Sequence, residues 1–228
     1  MPGTAAEVLH DDVRAIICPD KLTTAQWLAI VEAAHQAGIR TTATIMFGHV
    51  DCPDHWAAHL LAIRDLQEKT GGFTEFVPLP FIPTNTPLFL KGQTRKGPTL
   101  REVVLMHAVS RLVFQALIPN IQTSWVKLGD AGAQLCLNAG ANDLGGTLMN
   151  ESISRAAGTQ HGQEKSPHVM RGLISAIGRV PRQRTTLYRD VPHHIAALSE
   201  VAAELLPMVQ TRPADPCALA RLSIESTC

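Results

Sequence analysis

Thr41-Thr-Ala-Thr-Ile-Met-Phe47 and Phe73-Thr-Glu-Phe-Val-Pro-Leu-Pro80 are two short runs rich in β-branched and apolar residues, and a long helical pattern separates them. Strands joined through a helix must run parallel, because a crossover of that length returns the chain to the same end of the sheet. The pattern then continues. A helix is predicted over residues 99–117, with Val103, Leu105, Met106, Val109 and Leu112 inside. A strand is predicted over Ile121–Leu128, a short helix over 130–139 and a strand over Asn142–Met149. Helices at about 166–177 and 192–207 complete the reading, followed by a Pro- and Ser-containing tail.

The helix boundaries are written in the sequence. Thr4-Ala-Ala-Glu7 and Thr23-Thr-Ala-Gln26 have the form of capping boxes, the first opening a helix to about Ile17 and the second one with Trp27, Ile30, Val31 and Ala34 on one face. Asp51 or Cys52 caps the next helix, with Pro53 at its first position. This alternation is that of an α/β protein, either a (β/α) barrel or a doubly wound sheet. Only four strand–helix units are counted, and the chain opens on a helix. Four parallel strands alone would leave two long unpaired edges, so the expectation is a half-barrel completed by another polypeptide or by a missing segment.

Twenty basic residues balance twenty acidic ones, which removes any electrostatic reason to expect nucleic acid or an anionic membrane. No apolar run approaches the ~18 residues of a membrane span, so a cytoplasmic protein is expected. Five cysteines (18, 52, 136, 217 and 228) are too dispersed for a CxxC-type ligand set and read as reduced thiols. His55 and His59 share a helix face, but the intervening Trp-Ala-Ala lacks the glutamate of a zincin helix, so a solvated face is expected.

In a barrel, chemistry gathers at the carboxyl ends of strands. There the sequence places His49 and Asp51, then Thr84 and Asn85, Trp125 and Lys127, and Asn150 and Glu151. The Gly145-Gly146 pair within a strand-like run marks a bulge or a close approach by a ligand or backbone. His49 is a candidate proton shuttle. Gln122 and Ser124 share one face of their strand, whereas Lys127 reaches the interior only near a bulged end. Asn142, Asp143 and Glu151 carry amide and carboxylate groups suited to hydrogen-bonding a polar ligand.

The segments PGTAAEVL (2–9), TTATIMFGHVD (41–51), GGFTEFVPLPFIPTNTPL (71–88), IQTSWVKLG (121–129), ANDLGGTLMNE (141–151) and PRQRTTLY (181–188) resemble, in order, the C-terminal half of the tyrosine-using part of FO synthase. That family belongs to the radical S-adenosylmethionine enzymes; related menaquinone-pathway enzymes share weaker versions of the same segments. The resemblance implies the C-terminal half of a TIM-like barrel over residues 1–188, with a C-terminal helix and tail over 189–228. It implies that a deoxyadenosyl radical attacks L-tyrosine and that the 4-hydroxybenzyl fragment joins 5-amino-6-(D-ribitylamino)uracil. A ring-closing FO synthase subunit or half is the implied partner. Glu7, Pro78 and Pro80 are the implied S-adenosylmethionine contacts. The CxxxCxxC loop that holds the family's [4Fe–4S] cluster is absent from this sequence. The expectation is therefore a fragment that is inactive without a cluster-binding half; a non-catalytic scaffold is the alternative.

Overall fold

The structure is a computed structural model that describes residues 1–3, 5–148 and 151–201. It contains α1 (Asp11–Ile17), α2 (Thr24–Gln36), β1 (Thr41–Phe47), α3 (Pro53–Thr70), β2 (Phe73–Pro80), α4 (Pro87–Leu90) and α5 (Leu100–Phe114). The chain continues through α6 (Trp125–Asn138), α7 (Ile153–Ala156), α8 (Pro167–Ser175) and α9 (His193–Glu200). This is a mixed α/β architecture. The predicted bounds of β1 and β2 match those observed. Among the described residues no helix is long and apolar enough to cross a membrane.

Parallel pairing organises the molecule. β1 pairs with β2, and the ladder extends through isolated parallel bridges, Phe76 with Ile121 and Gln122 with Asp143. On the other edge of β1, Thr42 N–H donates to the Met1 carbonyl (3.2 Å) and Met46 N–H to the Glu7 carbonyl (2.9 Å). The expectation that the chain opens on a helix is thus corrected. The first residues lie along β1, and α1 begins only at Asp11. The Thr4 half of the predicted capping box lies outside the described residues. Glu7 has φ 44° and is not helical.

Ala43, Ile45 and Phe47 of β1 face the helices, and Phe76 of β2 packs against Phe114 of α5 with the rings tilted and centroids 4.8 Å apart. Strand alternation therefore sends Thr42, Thr44 and Met46, and with them Glu75 and Val77, to the opposite face. The Thr23 capping box forms as predicted, and Gly71 terminates α3 in the left-handed region. Cys52, not Asp51, is the N-cap of α3.

Three further readings are corrected. Residues 124–128 turn into α6 instead of continuing a strand. The helical turn buries both Trp125 and Val126, whereas a strand would turn one of them away, and Trp125 Nε1 donates to the Gly146 carbonyl (3.1 Å). Residues 142–148 form no strand beyond the bridge at Asp143, because Gly145 and Leu148 take positive φ and the Asp143 carboxylate accepts the Gly145 N–H (2.6 Å). Met149 lies outside the described residues, as do 202–207 of the predicted last helix. On α5 the buried face is Val103, Met106, His107, Ser110 and Phe114, so Leu105, Val109 and Leu112 are exposed. On α2, likewise, Ile30 is exposed while Trp27 and Val31 are buried.

Candidate functional site

His49 sits at the carboxyl end of β1, where the sequence placed it, inside a closed hydrogen-bonded loop. Its Nε2 lies 2.9 Å from the Met46 carbonyl, and its Nδ1 lies 2.7 Å from the Val50 N–H and 3.0 Å from Asp51 Oδ1. Asp51 also accepts the Gly48 and His49 amides and the Trp56 indole N–H. Burial pushes the Asp51 carboxyl up, but the hydrogen bonds and the His49 ring outweigh it and hold the group well below the ordinary carboxylate range. Gly48 is required here: its φ is +98°, and a Cβ would meet the Pro98 ring at 2.3 Å.

The second group of polar residues lies on the sheet face opposite the helices. Glu75 is buried there, and Arg184 reaches it from the 181–190 segment through Nη2 at 3.5 Å. Arg184 Nε donates to Asp143 Oδ2, its guanidinium stacks 4.2 Å above the Tyr188 ring, and the Tyr188 hydroxyl hydrogen-bonds Glu75. Burial, reinforced by the nearby Asp143 charge, raises Glu75 to about 7 despite Tyr188 and Arg184. Tyr188 is pushed far above the usual phenol range by its own burial and by Glu75. Glu75, Arg184 and Tyr188 were not among the predicted site residues. The signal that could have found them is a glutamate at an alternating position of an otherwise apolar strand.

Lys127 and Glu151 form the third group. Lys127 lies in the first turn of α6; burial lowers its pKa and the charge of Glu151 opposes that shift. Glu151 Oε1 accepts the Ser154 N–H (2.9 Å), whereas Oε2 is buried and unpaired. The turn and the loop are locked together. Gly129 (φ +65°) packs against the His161 ring, Lys165 pairs with Asp130 at 2.6 Å, and Lys165 Nζ sits 5.0 Å over Trp125.

The remaining candidates have local partners. Glu7 is paired with Lys21 at 2.8 Å. Pro78 pairs in register with Ile45 and Pro80 with Phe47. Gln122 lies against Gly145, where a Cβ would meet its amide nitrogen at 2.5 Å, so this glycine serves a side-chain approach. Ser124 is the N-cap of α6 without a side-chain cap bond. Asn142 Oδ1 accepts from the Ile121 N–H (2.8 Å) and from Arg111 Nη2 (2.9 Å). Asp143 has both oxygens engaged, by Gly145 and Arg184. Asp143, Arg184 and Tyr188 line an open cavity of about 1190 Å³. His59, expected on a solvated face, is fully buried and accepts the Leu9 N–H at Nδ1 (3.0 Å).

Cys18 ends α1, Cys52 caps α3, and Cys136 lies buried in α6, where burial pushes its thiol up to about 11. Among the described residues no group of three or more His, Cys, Asp or Glu could hold a metal ion. These thiols do not fit a [4Fe–4S] cluster, which needs several thiolates gathered around one point.

Residues 70–195 match the CofH/MqnC C-terminal region. Over 191 residues, 84% of the chain, the sequence is 52% identical to the 5-amino-6-(D-ribitylamino)uracil–L-tyrosine 4-hydroxyphenyl transferase of Methanothermobacter thermautotrophicus and covers 52% of it. It is 54% identical over 192 residues to the FO synthase of Streptomyces coelicolor, and 53% over 188 residues to that of Mycobacterium tuberculosis, covering 22% of each. The chain thus spans about half the length of its archaeal transferase relative and about a fifth of these FO synthases. With the family match extending over more than half of its residues, the chain belongs to the CofH/MqnC C-terminal region family.

Proposed function

We propose that this chain is the substrate-holding part of an enzyme of deazaflavin FO biosynthesis that couples the 4-hydroxybenzyl group of L-tyrosine to 5-amino-6-(D-ribitylamino)uracil. The observation that carries this reading is half-identity, over more than four-fifths of the chain, to a protein named a 5-amino-6-(D-ribitylamino)uracil–L-tyrosine 4-hydroxyphenyl transferase. The family description also covers menaquinone-pathway proteins, but the relatives at about 50% identity carry FO synthase or tyrosine-transferase names.

In this reading the parallel ladder is part of a radical S-adenosylmethionine barrel. The strands' sequential order, from the first residues through β1 and β2 to Ile121 and Asp143, supports it. Its own residues bind and orient. Lys127 and Glu151 present charge to the substrate side, Gln122 supplies an amide from the segment leading into α6, and the His49–Asp51 loop shapes the end of β1. Glu7, Pro78 and Pro80 are proposed to border S-adenosylmethionine. No step is assigned to an iron–sulfur cluster, because the described thiols cannot assemble one. In a cluster-dependent reaction the thiolates come from outside the described residues, and a ring-closing partner takes the coupled product.

The test is an anaerobic assay in which the chain is combined with the cluster-bearing part of the Methanothermobacter relative, S-adenosylmethionine and both substrates. Adduct detected by mass spectrometry only when the chain is present is the expected result. Adduct formation that is independent of the chain, or no adduct from two folded parts with the cluster assembled, counts against the reading.

A further inference from the structure

We infer that two copies of this chain associate through α5 as an antiparallel, two-fold symmetric pair, Leu105 of each copy packing on Leu112 of the other. Helix α5 has two apolar faces. One is buried in the chain's own core through Val103, Met106 and Phe114. The other points outward: Leu105 is 46% exposed, Val109 42% and Leu112 70%. These three follow one another at intervals of four and then three residues, which puts them on a single stripe of the helix.

A surface helix turns charged residues to water. Helix α3 does so, with Asp54, Asp65, Glu68 and Lys69 at exposed positions. On α5 the exposed positions are Leu100, Arg101, Leu105, Val109 and Leu112, so the only charge among them stands at the start of the helix. An outward face of this composition marks a contact surface.

The order of residues along the stripe names its occupant. Leu105 and Leu112 are equidistant from the midpoint between Ala108 and Val109, and so are the half-buried Val104 and Val113 at its margins. The stripe therefore reads alike in both directions. A two-fold axis through that midpoint sets each Leu105 on Leu112 of the other copy, and each Ala108 on the other copy's Val109. The shorter side chains at the centre let the two helix axes approach closely.

Charge agrees with this pairing. Arg101 sits in the first turn of α5, at the positive end of the helix dipole, where a cation is unfavourable. In the antiparallel pair it lies beside the carbonyl end of the other copy's helix, just past Phe114, where a cation is favourable. A net charge of zero adds no general repulsion between copies. Because the buried face of α5 packs towards β2 through Phe114 and Phe76, its outer stripe can pair while the opposite sheet face stays open.

The experiment is analytical ultracentrifugation of the full chain, with thermal unfolding as the control for folding. A reversible monomer–dimer equilibrium with a dissociation constant on the order of 10 μM is expected, as suits a small apolar interface. Leu105→Lys and Leu112→Glu, each alone, should weaken it by about a hundredfold, since each places a charge against a leucine. Both positions are exposed in the single chain, so Tm should stay nearly unchanged. Combining the two substitutions should recover most of the affinity, because the two-fold sets each new lysine against a new glutamate. A chain that is monomeric up to about ten times that dissociation constant overturns the proposal, as does a dimer indifferent to the single substitutions. A combined variant no tighter than the single ones overturns the antiparallel pairing. A monomer whose Tm falls on Leu112→Glu would show that the chain covers its own stripe, and the proposal fails.

Discussion

Arg184 holds Asp143, 41 residues away in sequence, through its Nε, and with the other arm of the same guanidinium lies 3.5 Å from Glu75 of β2. One cation therefore serves two carboxylates, and the segment after α8 is fastened onto the sheet face opposite the helices. Tyr188 completes the closure by stacking on the guanidinium and bonding Glu75.

Replacing Arg184 by Ala should leave these two carboxylates facing each other without a cation. Breaking a fully buried ion pair costs about 3–5 kcal/mol, and the Arg184 side chain is 29% exposed, so a loss of about 2–3 kcal/mol is expected. Arg184→Lys should recover only part of it, because an ammonium cannot reproduce the fork and the stacking on Tyr188. Urea unfolding of the three proteins at neutral pH measures both differences.

Glu75 gives the network a pH dependence. Its folded pKa is raised to about 7 from an ordinary value of 4.5, chiefly by burial. The folded state thus holds the proton more tightly than the unfolded chain does. The associated stability is fully present below about pH 4.5 and is lost as pH rises through 7, amounting to about 3 kcal/mol at most. Glu75→Gln, which keeps an acceptor for Tyr188, should raise Tm at pH 8 and change it little at pH 5. Thermal unfolding of the two proteins at both pH values checks this; an equal shift at the two would mean that Glu75 does not titrate on unfolding.

His59 acts in the opposite direction. Burial depresses its folded pKa to about 3, so the unfolded chain takes up a proton that the folded chain refuses. Stability is lost as pH falls below 6.5, by about 2 kcal/mol between 6.5 and 5 for this residue. His107 is also depressed by burial and adds in the same sense. His59→Gln should flatten the acid limb of a Tm-against-pH curve even though it lowers Tm at pH 7.

Gly48→Ala should destabilise the end of β1 by about 2–3 kcal/mol, combining the left-handed backbone penalty with displacement of the Pro98 ring. Since Gly48 N–H donates to Asp51, the His49 loop should loosen as well. Hydrogen exchange at the amides of 48 and 49 would report it: faster exchange confined to this loop is expected, and unchanged exchange would show that Pro98 moves aside freely.

β1, β2 and the starts of α2 and α3 were legible from the sequence because their causes are local. β-Branched alternation, the Thr23–Gln26 box and Pro53 after Cys52 act within a few residues. The parallel topology followed from the length of the crossovers. The turn at Ser124 was different. Ile121–Leu128 has a strand-like composition, but a helical turn forms over Trp125–Leu128, ahead of the kink at Gly129, because Trp125 finds the Gly146 carbonyl and a buried position, both supplied by distant chain. Glu7 likewise carries a capping spacing, but the free edge of β1 hydrogen-bonds Met1, Gly3 and Glu7 instead. His49, Lys127 and Glu151 could be named in advance as polar groups near strand ends. Whether each was already satisfied or still lacked a partner depended on contacts across the fold, and those only the tertiary structure decided. The network of Glu75, Asp143, Arg184 and Tyr188 is the clearest case. It spans 113 residues of sequence, and its chemistry exists only because parallel pairing brings the Glu75 and Asp143 segments together and Arg184 reaches both from the 181–190 segment.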